Sequence, residues 1–458
     1  MKKILFVLSD DLYCRNYIKT NVLDNFSNKF KIYFIADQSL TNNNKKLIKK
    51  KNFLGFYSFT KREIEDYNYL NWKFSFIYEK KIKSTSLKIL NKNYLNTKLK
   101  WSNESKIKIL LRFPYRIFLI IKKNINYFVY KNFGNEEIIL DNFKKKNPIK
   151  NKILDKIKRN NPDLIVVPTQ GNRRILYEVI RISKILKKKT LHLCDNWDNP
   201  SSRKYIPPKA DYLGVWGKQS MQHGIKFNNF NKDNIFILGS PRYENYFRFK
   251  KSSHFSFKYF LLLENYINHD IDKVLIKVDD MIENNKIFEN FKLIYRPHPN
   301  RKDDETIDIN KFKHVILDPQ LEKNYKRKIF DARAIPSLEY IPSLIRNAEL
   351  IIAGPTTMII ESLFFKKKIL ILGYPGKNYF NFHNFIKDAY HLRGLKNFKN
   401  IKICNSIEKI SADIKKIFFL KKKNVFQNLS KKREFYLFMN KKGYKNSISN
   451  CFQKILTN

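Results

Sequence analysis

The chain opens on a short unbroken apolar run, Lys3 to Leu8, which Ser9, Asp10 and Asp11 cut off. Runs of this kind, bounded by polar loop residues, predict strands buried on both faces, as in parallel sheets. A helical stretch from about Leu12 to Phe26 and a second run, Lys31 to Ala36, complete a β-α-β opening. The pattern then becomes hard to read from about residue 40 to 150, where Lys and Asn dominate among scattered aromatics. It returns at Asn151. Residues 152–160 predict a helix, Asn161-Pro162-Asp163 a turn and Leu164 to Val167 a strand. A Thr169-Gln170-Gly171 loop leads into a helix ending near Leu186. Thr190 to Leu193 predicts a strand entering the loop Asp195-Asn196-Trp197-Asp198-Asn199. Tyr212 to Trp216 and Ile235 to Leu238 predict two more, separated by a helix from Lys218 to about Lys226.

A second series of alternations begins after Ser240-Pro241-Arg242. Phe260 to Leu263 predicts a strand, and Ile271, Val274, Leu275, Val278 and Met281 mark one face of a helix over 271–283. Lys292 to Tyr295 predicts a strand running into Arg296-Pro297-His298-Pro299, and Val315 to Leu317 a short one. A helix over Ile341 to Asn347 and a strand over Glu349 to Ala353 lead to the loop Gly354-Pro355-Thr356-Thr357. A helix (Met358 to Phe365) and a strand (Ile369 to Leu372) follow, and the remainder predicts Lys-rich helix. The expected fold class is α/β, with two doubly wound Rossmann-like domains facing a cleft. Residues 1–245 form the first, with a basic insertion at about 40–150. Residues 246–425 form the second, and 426–458 a helical tail.

Composition sharpens this picture. With 458 residues and 43% hydrophobic content, the chain can bury large cores and is not a disordered polyelectrolyte. Its 12 Gly and 15 Pro exclude collagen-like and linker-rich classes. The 91 Lys and Arg against 41 Asp and Glu give a net charge of +50. That excess invites a nucleic-acid or anionic-membrane partner. Yet Lys is spread over nearly every polar stretch, beside abundant Asn, Ile, Phe and Tyr, which share A/T-rich codons. No nucleic-acid-binding motif accompanies it, so no nucleic-acid partner is expected. The segment Ile107 to Tyr130 is different, because Arg112, Arg116, Lys122 and Lys123 stand among Leu, Ile and Phe. It reads either as a basic amphipathic piece meeting an inner-membrane surface or as an ordinary helix pair broken at Pro114.

The N-terminal apolar run is shorter than the roughly 7–15 residues of a signal-peptide core. No run reaches the roughly 18 apolar residues of a membrane span. The four cysteines, Cys14, Cys194, Cys404 and Cys451, form no CxxC pair and suggest neither a zinc site nor a disulfide framework. A cytoplasmic protein, peripheral at most on the inner face of the membrane and without a metal, is expected.

Three constellations carry candidate chemistry. Arg296-Pro297-His298-Pro299 sits at a strand's C-terminal end, where open α/β sheets bind ligands. The prolines hold the flanking backbone extended, so that His298 is displayed to donate to a phosphate oxygen, with Arg296 as a second anion donor. The second is Gly354-Pro355-Thr356-Thr357 at a helix start, with free N–H groups and two hydroxyls. Glu361 lies one turn in and can take ribose hydroxyls; the plainer reading is an N-cap and a favourable dipole residue. The third is the acidic loop, where Asp195 or Asp198 could serve as general base on a hydroxyl, in competition with Asp10 or Asp11 after the first strand. Turn and cap roles are the alternative for all four. Gly171, Arg173 and Arg174 follow another strand and suit an anionic substrate, and Arg242 marks a hinge. His192 and His223 read as structural. GxxxxGK[ST], GxGxxG, HExxH and GxSxG are all missing from the sequence, against a P-loop ATPase, a standard NAD enzyme, a zincin or an α/β hydrolase.

Together, Tyr295-Arg296-Pro297-His298-Pro299, the AGPTTMIIES stretch at 353–362 with the strand after it, and the segment from Asp211 to Arg242 resemble GT-B glycosyltransferases of bacterial surface-polysaccharide biosynthesis. The His-Pro motif and hydroxyl pair look like those of sialyl- and Kdo-transferases and of CDP-glycerol glycerophosphotransferases; sugar-nucleotide 2-epimerases are similar too. The resemblance covers roughly 160–375. It implies a nucleotide-sugar donor held at its phosphate by His298, Thr356 and Thr357, with Glu361 near the ribose, and a glycan or lipid-linked glycan acceptor. No cofactor is implied, the nucleotide-sugar being substrate. Thr-Thr replaces the usual Ser-Ser and keeps the hydroxyls, whereas the acidic base motif has no clean counterpart. A glycerophosphotransferase, a 2-epimerase and a non-enzymatic basic binding protein stand as alternatives.

Overall fold

The structure is a computed structural model. It describes residues 1–24, 26, 29–82, 85–95, 106–168, 173–202, 205–244, 246, 253–265, 270–298, 307–326, 338–375, 382–421, 426 and 429–457. Gly171 and Pro299 lie outside the described residues.

Two parallel sheets organise the chain. The first contains β1 (Lys2–Leu8), β2 (Phe30–Asp37), β3 (Phe53–Tyr57), β4 (Leu164–Pro168), β5 (Lys189–Leu193), β6 (Tyr212–Val215) and β7 (Ile235–Ile237), in the order β3-β2-β1-β4-β5-β6-β7. The second contains β8 (Lys258–Leu263), β9 (Phe291–Arg296), β10 (Val315–Leu317), β11 (Leu350–Ala353), β12 (Lys368–Leu372) and β13 (Ile401–Cys404), in the order β10-β9-β8-β11-β12-β13. Every strand pair is parallel. Parallel neighbours require crossovers, and the intervening helices cover both faces. That is why the strands read as solid apolar runs: Ile4 to Leu8 and Phe260 to Leu263 are all buried. In each sheet the strand order reverses once, between β1 and β4 and between β8 and β11. The α/β, doubly wound expectation therefore holds for both sheets.

The structure departs from the pattern at four places. The helix expected over 12–26 is one short turn, Asp11–Tyr13, continuing as a π-helical segment, Cys14–Ile18, in which the Lys19 amide donates to the Cys14 carbonyl. Strand β3 lies inside the stretch that resisted reading; its five residues are only half-buried, so edge exposure blurs the apolar signal. Strand β13 sits where only helix was expected. Its four residues, Ile-Lys-Ile-Cys, are too few to set a period of two against the surrounding Lys background. Pro114 lies within a single helix, Lys106–Phe133, rather than breaking a pair.

The C-terminal helix, Tyr444–Thr457, packs under the first sheet. Tyr444, Ile448, Cys451, Phe452 and Ile455 join one buried cluster with Ile4, Phe6, Tyr17, Phe30 and Ile32. What the sequence suggested as a tail is a structural layer of the first sheet. To reach it the chain recrosses the molecule, with the Phe438 amide donating to the Trp216 carbonyl at 2.7 Å. This crossing needs bare backbone. A Cβ on Gly217 would lie 2.7 Å from the Tyr436 carbonyl oxygen. Gly239 has φ +81°, and a Cβ there would run into the Phe438 carbonyl oxygen. Gly239→Ala is therefore expected to lower the urea midpoint by an amount equivalent to about 1–3 kcal/mol, from left-handed strain plus overpacking, with the far-UV spectrum unchanged. A variant as stable as the parent would show that the returning segment does not depend on close approach at this point.

Candidate functional site

The C-terminal ends of the central strands converge on one region. In the second sheet β9, β8 and β11 are consecutive neighbours. The His298 loop after β9 and the Thr356-Thr357 loop after β11 therefore share one edge, two strand spacings or about 10 Å apart. Between them stands the end of β8, Glu264-Asn265, two buried polar residues that the sequence reading missed. Glu264 shapes the His-Pro turn: its Oε2 accepts from the Tyr295 hydroxyl at 2.9 Å and from the His298 amide at 3.1 Å, and its own amide donates to the Arg296 carbonyl at 3.0 Å. The only sequence signal for it was a carboxylate directly after an apolar strand. At this same edge Asn265 has a buried Oδ1 with no hydrogen-bond partner among the described residues. His298 itself is partly exposed.

Arg296 is placed differently from the expectation. Its guanidinium is buried, donates to Asp318 and also donates to Gln320 Oε1 at 2.9 Å. It braces the end of β10 instead of standing ready for a phosphate. Asp318, the first residue after the neighbouring β10, supplies the carboxylate, and a buried guanidinium needs such a partner.

The hydroxyl loop reaches the first sheet. Thr357 Oγ1 donates at 3.0 Å to Asn196 Oδ1, in the loop after β5. Gly354 is buried and Thr356 is partly exposed. The helix that follows, Met358–Phe364, is only seven residues long, and Thr357 makes no side-chain cap on it.

Glu361 lies in that helix and is 1% exposed. The sequence placed it near a ribose. In the structure its Oε1 accepts from Arg242 at 2.6 Å and from the Tyr243 hydroxyl at 3.4 Å, while Oε2 accepts from the Tyr246 hydroxyl. Both oxygens are thus committed to residues that follow β7. Burial alone would push the Arg242 guanidinium down, but Glu361 overrides it and holds the charge. Arg15, from the π-helical segment, joins this cluster. Burial pushes it down to about 10, with Arg242 adding to the shift and Asp195 and Glu361 opposing it. Two arginines and two carboxylates thus meet where the sheets touch. Arg15 carried no sequence signal, because a lone Arg in a Lys-rich chain is indistinguishable from background.

The four aspartates separate by environment. Asp195 is buried and its Oδ1 accepts from Asn16 Nδ2 at 3.2 Å; Arg15 in turn donates to Asn16 Oδ1 at 3.1 Å. Asp198 accepts from Ser202 Oγ at 2.7 Å and leaves Oδ1 buried without a hydrogen bond among the described residues, next to His391. Asp11 Oδ1 accepts from the Thr41 amide, the Thr41 hydroxyl and Asn44 Nδ2. That makes it a tether between β1 and the loop after β2. Asp10 stands at the β1–β4 reversal of the first sheet, with 22% of its side chain exposed. It caps the following turn through the Leu12 amide, and Arg173 Nε lies 4.0 Å from its Oδ2. Burial pushes the Asp10 carboxyl above its ordinary value, against the pull of Arg173 and of the Leu12 and Tyr13 amides.

Arg174, expected at the cleft with Arg173, is turned inward. It pairs with buried Glu178 at 2.6 Å and stacks on Phe59, Phe143 and Tyr177. Its position as the first residue of an apolar-faced helix, Arg174–Ile185, directs it to the interior. His192 and His223 are each pushed down to about 3 by burial, so both are neutral core residues. Among the described residues no three His, Cys, Asp or Glu side chains gather into a metal-binding group.

No protein-family model matches the chain, and no curated protein sequence matches it. Among solved structures it is similar to the S. aureus MnaA–UDP co-structure, with TM-score 0.49 and 10% identity over 100% of this chain and 97% of that one. It is similar to UDP-GlcNAc 2-epimerase from Neisseria meningitidis bound to UDP-GlcNAc, with TM-score 0.49 and 9% identity over 100% of both chains. Acinetobacter baumannii MurG is similar at TM-score 0.47 and 9% identity over 99% of each chain.

The buried pair at the sheet junction makes a quantitative prediction. Glu361→Ala or Arg242→Ala alone should cost about 3–5 kcal/mol in urea unfolding, because each strands a buried charge. Combining Glu361→Ala with Arg242→Ala should cost markedly less than the sum of the single changes. Additive costs in that cycle would exclude a direct coupling.

Proposed function

We propose that the chain is a GT-B-type glycosyltransferase that moves a sugar from a nucleotide-sugar donor to a glycan acceptor, free or lipid-linked. The observation that carries this reading is the reversal point of the second sheet. There the ends of β8, β9 and β11 set Glu264, Asn265, His298, Thr356 and Thr357 along one edge, opposite the acidic loop of the first sheet. Doubly wound sheets bind their ligands at such reversals. The donor's diphosphate would lie against His298 and the threonine loop, with the unpartnered Asn265 amide oxygen available to a sugar or ribose hydroxyl. Polar groups fixed before the reaction, here the His298 turn held by Glu264, can each be worth on the order of 3 kcal/mol when charge develops on the leaving phosphate.

The acceptor hydroxyl needs a base. Asp10 suits that role best among the four aspartates: it is partly open, sits at the reversal of the facing sheet and has a raised pKa, closer to the working pH of a general base. Arg173 beside it suits an anionic acceptor. Arg242 and Glu361 then serve the site indirectly, by holding the second sheet's helix against the segment after β7.

Calorimetric titration with UDP, CDP, CMP and GDP tests the donor site. One nucleotide should bind, and His298→Ala should weaken it by roughly tenfold or more while the fold survives. Asp10→Asn should leave that affinity intact and lower turnover by about 10²- to 10⁴-fold. Since a base must be deprotonated, activity should rise with pH through a value above the ordinary aspartate 3.8. Equal affinity in His298→Ala would refute the donor site. Conversion of a nucleotide-sugar to its epimer without any acceptor would replace the transferase by an epimerase.

A further inference from the structure

The helix Lys106–Phe133 is built inside out. Two of its polar side chains, Tyr127 and Lys131, turn toward the protein, while Lys122 and Asn124 stay exposed. The Tyr127 hydroxyl and Lys131 Nζ both donate to Glu79 Oε1, at 2.8 and 2.7 Å, and Asn91 donates to the other oxygen of this buried carboxylate at 2.8 Å. The side chains that a packed helix would bury face outward instead: Ile117, Phe118, Ile121, Ile125, Phe128 and Val129 are 41–60% exposed. At the helical repeat of 3.6 residues per turn these six fall within an arc of about 120°. The aromatic residues Tyr115 and Phe133, toward its two ends, are more exposed still. A contiguous outward apolar arc of this kind marks a surface that is covered in use.

Charge says what covers it. The helix carries seven basic residues and no acidic one. Its neighbour, Thr85–Leu95, adds the exposed Lys88 and Lys92 and again no acid. Two carboxylates beside this helix are engaged, Glu79 by Lys131 and Glu136 by Lys81. Lys122, exposed at the border of the arc, lies over the Phe118 ring. A second copy of the chain would match the apolar arc but would set one positive surface against another, which opposes association. A bilayer of anionic phospholipid matches both features. The helix is about 42 Å long at 1.5 Å per residue. Among the described residues none is apolar enough to cross a membrane, so this helix would lie in the interface.

We propose that Lys106–Phe133 docks the protein flat on an anionic phospholipid surface, with Ile117, Phe118, Ile121, Ile125 and Phe128 entering the boundary of the acyl chains and the exposed Lys122, Lys88 and Lys92 meeting the headgroups. The proposal stands independently of the donor site. Flotation of the full-length protein with vesicles of phosphatidylcholine containing about one third phosphatidylglycerol tests it, with pure phosphatidylcholine as the comparison. The parent should float with the anionic vesicles and much less with the neutral ones. The triple substitution Ile121→Glu, Ile125→Glu, Phe128→Glu should bind at least roughly tenfold more weakly, and Lys122→Gln should weaken binding most at low salt. Circular dichroism reports whether each variant is folded; if the triple variant is not, Ile125→Glu alone should show the same loss in smaller measure. A parent protein that stays with neither vesicle, or glutamate variants that float as well as the parent, would overturn the proposal. So would a parent that sediments as a dimer, dissociates on the same substitutions and ignores vesicles, which would assign the face to a second copy.

Discussion

The buried pairing of Arg242 with Glu361 is the constraint on which the rest of this structure turns. A carboxylate that is almost wholly removed from water cannot remain ionised without partners, and Glu361 has three, all supplied by the short segment after β7. The helix Met358–Phe364 is thereby fixed against the end of the first sheet. The hydrophobic cluster around it runs without a break from Trp197, Trp216 and Tyr243 to Leu261, Ile351 and Ile359. Apolar burial there is non-directional; the ion pair and the two tyrosine hydroxyls supply the direction. Buried pairs of this type contribute modestly to net stability, but they are costly to break, which suits them to fixing geometry.

The candidate site inherits its order from that arrangement. Thr357 sits one helical turn before Glu361 and bonds to Asn196, so the threonine loop and the acidic loop share a position set by the same helix. On the other flank, Glu264 ties the His298 amide to β8. Two buried, hydrogen-bonded glutamates thus frame an edge at which Asn265 Oδ1 is buried without a partner among the described residues. Residues that the sequence offered as ligands, Arg296 and Glu361, act as supports. Residues that it passed over, Arg15, Asn16 and Glu264, complete the frame.

The insertion between β3 and β4 follows another logic. In the two sheets apolar side chains fill the cores and the charges buried with them, such as Arg296 with Asp318, are paired. In Lys106–Phe133 the apolar part of that rule is inverted around the single buried carboxylate of Glu79, which gathers Tyr127, Lys131 and Asn91. Once a helix is held by its polar face, its apolar face has nowhere to go but outward. The net charge of +50, spread across most of the chain, has a local counterpart here because acids are missing from the helix as well as bases being present.

By itself the sequence determined the two parallel sheets and most of their strands, since a strand covered on both faces must be an uninterrupted apolar run, and Ile4 to Leu8, Leu164 to Val167, Phe260 to Leu263 and Ile369 to Leu372 are such runs. It also placed the His298 and Thr356-Thr357 loops, because strand ends bounded by Pro and Gly announce themselves locally. It could not reveal β3 or β13, which are short and bordered by Lys, nor the π-helical turn that delivers Arg15. The roles of charged residues were decided only by tertiary structure. Arg296 and Asp318 lie 22 residues apart and Arg242 and Glu361 lie 119 apart, so whether a guanidinium waits for a ligand or is consumed by a carboxylate depends on which chain segments folding brings together. The same holds for the C-terminal helix, whose helical character was legible but whose site of burial, beneath β1 and β2, is a property of the assembled sheet.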